Sequence, residues 1–180
     1  YLDVQNILDK NDLILQESGC VGSENERGNT YMKKIGIVTD SHSSISQEEA
    51  EKLGIFVLPM PFYIDGECYY ESVTLSRELF FEKLAAGADI TTSQPSPAAV
   101  MEIWDKALEQ FEKILYLPIS SGLSGSYETA MMLAKDEAYE GRVLVVDGGQ
   151  VAAPLHQMVL DTLDMIKKGY EAEQIRDLLE

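Results

Sequence analysis

Cationic side chains are scarce in this sequence. Its 180 residues carry 14 Lys and Arg against 31 Asp and Glu, a net charge of −17 at pH 7. A field of that sign repels nucleic acid and anionic membrane over most of the surface, while leaving room for a small anion held by local dipoles. Cysteine is nearly absent. Cys20 and Cys68 are too few for a disulfide framework and lack Cys-x-x-Cys spacing, which fits a reducing cytoplasm. Histidine is as rare, and with only His42 and His156 neither zinc chemistry nor any other resident metal or cofactor is expected. No apolar run approaches the ~20 residues that span a bilayer, so contact with a membrane interior is not expected. A Walker-type phosphate loop is also missing, because no Lys occurs between Lys113 and Lys135.

What remains is an ordinary globular composition, 45% hydrophobic and 25% charged, in a chain long enough for one sizeable core or one core plus a short appendage. Residues 1–31 differ in character from the remainder of the chain. Leu2, Val4, Ile7 and Leu8 share one side of a short helical pattern, and a polar, glycine-rich stretch runs from Glu17 to Thr30. This part reads as an upstream segment or linker, and the main fold is expected over residues 32–180.

From Lys33 the pattern becomes regular. Apolar strands are expected at Ile35–Val38, Ile55–Leu58, Ile114–Leu117 and Val143–Val146. Ser46, Ser76 and Ser96 stand where helix caps belong, the last followed by Pro97. Asp65-Gly66 lies between two β-prone runs, a hairpin signal. Val100, Ile103, Trp104, Ala107, Leu108 and Phe111 mark one face of a helix, and Leu155, Met158, Val159, Leu163 and Ile166 stripe another. Met101, Met131 and Met132 are expected in the core by the same spacing, with lining of an apolar ligand as the other reading. Strands alternating with amphipathic helices predict an α/β fold, a parallel sheet flanked by helices on both faces.

The chemistry gathers in loops. Ile119-Ser-Ser-Gly-Leu-Ser-Gly-Ser-Tyr127 follows a strand and opens a helix, with four serine hydroxyls, two glycines and no charge. Hydroxyls and unpaired N–H groups at a helix start suit an oxyanion, so this loop is a candidate site for the acid end of a small molecule. Thr91-Thr-Ser-Gln-Pro-Ser-Pro97 is the second unusual loop. In a parallel sheet, the loops beginning at Thr39, Ile119 and Asp147 should meet at the carboxyl edge, with the Thr91 loop nearby. Three readings compete. The hydroxyls bind a ligand; or they only cap helices in an α/β interaction module, with Asp40 and Asp147 orienting backbone N–H groups; or Ser124, Asp147 and His156, in hydrolase order, form a triad. Against the last, Gly122-Leu-Ser124-Gly has its second glycine one position early, and His156 falls inside an expected helix.

Ile37-Val-Thr-Asp-Ser41, Thr92-Ser-Gln-Pro-Ser-Pro97 and Pro118-Ile-Ser-Ser-Gly-Leu-Ser-Gly125, in this order and spacing, resemble the DegV family, as does Tyr63-Ile-Asp-Gly66. The resemblance covers about Met32–Glu180. It implies a bacterial cytoplasmic fatty-acid-binding protein without catalysis of its own, the carrier subunit of a fatty acid kinase. Such a carrier presents a long-chain fatty acid to the catalytic subunit for phosphorylation. The family's carboxylate-binding hydroxyls map to Thr92 and Ser124, with Ser93 and Ser121 as neighbours that share the role. Two departures stand out. Asp147-Gly-Gly-Gln-Val-Ala-Ala-Pro154 replaces the usual Asp-Ser and glycine-rich helix start, and the family's second, lipid-covering domain is expected to be missing from this chain.

Overall fold

The computed structural model describes residues 33–70 and 74–180. The expected upstream segment, residues 1–31, and Met32 lie outside the described residues. Among those described, seven strands and six α-helices succeed one another along the chain. They are β1 (Lys33–Asp40), α1 (Gln47–Leu53), β2 (Phe56–Leu58), β3 (Pro61–Ile64), β4 (Glu67–Tyr70), α2 (Arg77–Ala85) and β5 (Ile90–Thr92). Next come α3 (Pro97–Leu108), β6 (Phe111–Leu117), α4 (Ser126–Leu133), β7 (Val143–Val145), α5 (Ala153–Lys167) and α6 (Ala172–Leu179).

β2, β1, β6 and β7 form a parallel sheet in that order, with Val38 opposite both Phe56 and Tyr116. Alternation along these strands divides the core in two. Ile35, Ile37, Val57, Leu115 and Leu117 pack with Ala50, Leu155, Val159 and Ile175 from α1, α5 and α6. Val38, Leu58, Ile114, Tyr116 and Val145 pack with Ile103, Trp104, Ala107 and Ala130 from α3 and α4. The expected doubly covered parallel sheet is therefore present. Gly36 lets β1 pass under Phe111, since a Cβ there would lie 2.6 Å from the ring.

The predicted caps hold. The Ser46, Ser76 and Ser96 side chains accept from the N–H groups of Glu49, Leu79 and Ala99. Asp65 and Gly66, both at positive φ, close the β3–β4 hairpin as a primed turn that suits the strand twist. The Thr91 segment differs from expectation, because Ile90–Thr92 is a strand. It pairs antiparallel with β3 in a small separate sheet, β4-β3-β5. Three residues are too few to show periodicity, and the partner strand is remote in sequence. Of the methionines expected in the core, Met158 is buried, Met101 and Met131 are half-buried, and Met132 is exposed.

Tyr116 carries a prediction of its own. Its ring meets Trp104 edge-on at 5.4 Å, and its hydroxyl is buried without a partner among the described residues. Burial above all, then the charge of Asp40, pushes this phenol well above the usual value. An unfolded tyrosine ionises near pH ~10, whereas the folded one holds its proton, so stability is full below that pH and falls as pH rises through it. Tyr139, pushed up to about 12 by burial and then by its bond to Asp105, adds to the same alkaline loss. Tyr116→Phe should abolish part of that loss in urea titrations at pH 9 and 11. At pH 7 it should shift stability by no more than about 1 kcal/mol.

Candidate functional site

The chain runs from β1 outward to β2, then returns to place β6 on the other side of β1. The carboxyl ends of β1 and β6 thus flank a switch point, where open α/β sheets bind ligands. Loops from β1, β6 and β7 meet there through two carboxylates. Asp40, fully buried at the end of β1, accepts from Ile119 N–H at 2.7 Å and from His42 N–H at 2.9 Å. Asp147, after β7, accepts from Ser121 N–H at 3.2 Å and Gly149 N–H at 3.1 Å. Burial pushes the Asp147 carboxyl up, but the Ser121 hydroxyl and these two N–H groups outweigh it and hold it below the ordinary value. Both acids therefore orient backbone N–H groups, and together they clamp the Ile119–Gly125 loop from both sides.

That loop is more self-contained than its sequence suggests. Leu123 and Ser124 N–H both donate to Ser120 carbonyl, Gly122 N–H donates to Ser120 Oγ, and Ser120 N–H donates to Gln150 carbonyl. Ser126 N–H donates to Ser124 Oγ. At the start of α4, the N–H groups of Gly125, Tyr127 and Glu128 are left without an acceptor among the described residues.

Strand alternation separates two of the expected hydroxyls. Thr92 lines a cleft of about 260 Å³ whose walls include Met60, Phe62, Leu75, Phe80 and Ile90, with Ser41 and His42 at one side. Ser93 lines a different hollow, of about 360 Å³, beside Tyr63, Cys68 and Tyr70. Ser121 and Ser124 line neither. Their protons differ too. The Ser93 hydroxyl donates to Gln94 carbonyl and the Ser121 hydroxyl faces Asp147, whereas the Thr92 hydroxyl has no hydrogen bond among the described residues and Ser124 Oγ only accepts. Gln94 joins the two loops. Its Oε1 accepts from Thr129 Oγ1 at 3.1 Å and lies 3.6 Å from where a Cβ on Gly125 would sit. Gln94 stands inside the Thr92–Pro97 motif, yet nothing in its spacing marks it as the bridge.

The triad is not assembled. His156 Nε2 faces Glu49 Oε1 at 3.2 Å, on α1, and Asp147 is held by Ser121 and Gly149. Ser124 Oγ meets a backbone N–H, not an imidazole. His42, by contrast, is fixed at the cleft. Its carbonyl accepts from Ala152 N–H at 2.7 Å, where Ala152 has the uncommon φ of 55°. No group of His, Cys, Asp and Glu among the described residues could hold a metal ion. No described helix is long and apolar enough to cross a membrane.

A family model described as the DegV family matches residues 34–180. This chain belongs to that family. It is 34% identical over 144 residues to a DegV domain-containing protein of Caldanaerobacter subterraneus, covering 80% of this chain and 51% of the relative. Its fold matches a DegV family protein from Thermus thermophilus, described for fatty acid binding, with a TM-score of 0.73 and 33% identity. That match covers 81% of this chain and 52% of the other. It also matches DegV of Bacillus subtilis, a fatty acid binding protein, with a TM-score of 0.72 and 25% identity over 83% and 53% of the two chains. The chain thus spans about half the length of its DegV relatives.

Proposed function

We propose that this chain binds a long-chain fatty acid, its acyl chain along the apolar cleft and its carboxylate on the hydroxyls of Thr92 and Ser124. The observation that carries this reading is an apolar cleft with Thr92 on its wall, in a chain akin to proteins described as fatty-acid-binding. Thr92 and Ser124 are favoured over Ser93 and Ser121 because their protons are uncommitted. Charge-assisted bonds from such donors are roughly twice as strong as neutral ones. The cleft is smaller than the ~300–1,000 Å³ typical of small-molecule sites, so this chain supplies one wall of the site. The carrier works in the cytoplasm and catalyses nothing itself. It presents the carboxylate to the catalytic subunit of a fatty acid kinase for conversion to acyl-phosphate.

Burial of a ~16-carbon chain contributes ~0.8 kcal/mol per CH₂, so the chain dominates affinity and the hydroxyls set head-group position. Thr92→Ala and Ser124→Ala should therefore change fatty-acid affinity by less than about fivefold, while slowing phosphoryl transfer by a partner kinase about tenfold or more. Native mass spectrometry of the purified protein reads the lipid, and acyl-phosphate formation reads the transfer. Unaltered transfer in both variants rejects the assignment of these two hydroxyls. A covalent acyl adduct on Ser124 would instead revive the hydrolase.

A further inference from the structure

The apolar side of α2 is wider than its neighbours cover. At roughly 100° per residue, Leu79, Phe80, Leu84 and Phe81 spread across one broad side of the helix. Phe80 sits within that side and packs edge-on against Phe62. Leu79 on one flank is 42% exposed, and Leu84 and Phe81 on the other are 48% and 56% exposed. No other element carries as many exposed large apolar side chains among the described residues. The α2 sequence is also electrically balanced, two acids against two bases, in a chain of net charge −17. It therefore repels an acidic partner less than most of the surface does.

A second copy of this chain fits that face poorly. The exposed part of a nine-residue helix falls short of the ~800 Å² a side that a stable interface buries, and two chains of charge −17 repel each other. A patch so small holds a partner that is already tethered to it. The chain carries one. Ile7, Leu8, Leu13, Ile14 and Leu15 are the main concentration of apolar residues outside the described fold, and the polar, glycine-rich residues 17–30 separate them from β1. β1 has eight residues at ~3.3 Å each, so Lys33 lies about 25 Å from the far end of the strand. Beyond that end is the cleft whose lining includes Ser41 and His42 as well as Phe80 and Phe81 of α2. A glycine-rich polar linker as long as residues 16–32 averages about 20–25 Å end to end. Linker and span match, the condition in which effective concentration peaks, on the order of millimolar.

We propose that the apolar residues 7–15 dock on the exposed face of α2 in the same chain and mask it from solvent. A contact with a dissociation constant of about 0.1 mM is then about nine-tenths occupied, and it slows amide exchange in α2 about tenfold. Hydrogen exchange on the 180-residue chain tests this. With Ile7→Asp and Ile14→Asp together, the amides of residues 81–85 should exchange about tenfold faster, while Val38 and Leu115 in the parallel sheet keep their rates. Ile7→Val with Ile14→Val should keep the parent's protection. Leu84→Asp on α2 should in turn speed exchange at residues 7–15, because the coupling is reciprocal. Unchanged α2 exchange in the double aspartate variant overturns the proposal. So does α2 protection that grows between about 1 and about 100 μM protein, which would assign the face to a second copy. No lipid enters the measurement, so its outcome is independent of the fatty-acid reading.

Discussion

Asp40→Ala should lower the unfolding free energy by about 3–5 kcal/mol, more than expected for most single substitutions in this chain. The carboxylate joins residues 79 positions apart, accepting from the buried Ile119 N–H at 2.7 Å. It also accepts from His42 N–H. Hydrogen bonds to a charged group contribute about 1.5–3 kcal/mol each, and an N–H left buried without an acceptor costs about 1–3 kcal/mol. Alanine removes both acceptors at once. Asparagine keeps one carbonyl oxygen and should recover about half of the loss. Urea unfolding gives the magnitude, and faster amide exchange at Ile119 and His42 locates it. A variant as stable as the parent would mean that the loop is held by its own turns and not by the clamp.

Phe80→Asp should reduce fatty-acid affinity about 100-fold while moving the unfolding midpoint only slightly. Phe80 is a half-buried wall of the cleft, packed edge-on against Phe62 at 5.6 Å and Phe81 at 5.5 Å. An acidic group there withdraws apolar contact from about three methylenes of the acyl chain, at ~0.8 kcal/mol each, or about two decades in affinity. Phe80→Leu keeps an apolar wall and should stay within a few-fold of the parent. Equilibrium dialysis with a labelled fatty acid distinguishes them. If Phe80→Asp binds as tightly as the parent, the acyl chain lies elsewhere.

The parallel sheet was legible because its strands are buried on both faces and read as short apolar runs between striped helices. Ser46, Ser76 and Ser96 were legible as caps because the capping side chain sits beside the helix it serves. What escaped is long-range. The β3–β5 pairing joins Phe62 to Thr92 across 30 positions, and nothing local announces it. Thr92 and Ser93 look equivalent in sequence, and only a strand separates them. Met132 has the spacing of a core residue, but α4 is too short for spacing to fix its inner face, and the side chain is 73% exposed. His42 reads as one of two scattered histidines. Its place on the wall of the cleft is set by tertiary structure.

The short edge strand β5 limits how the gene can change. Asp65 and Asp89 tie the two turns together by reciprocal backbone and carboxylate bonds, and so fix where Ile90 begins. Deleting or inserting one codon between Gly87 and Ile90 would turn every side chain of the strand over, bringing Ser93 into the cleft and sending Thr92 out. Descendants of this sequence are thus free to vary the letters of that turn but not its parity.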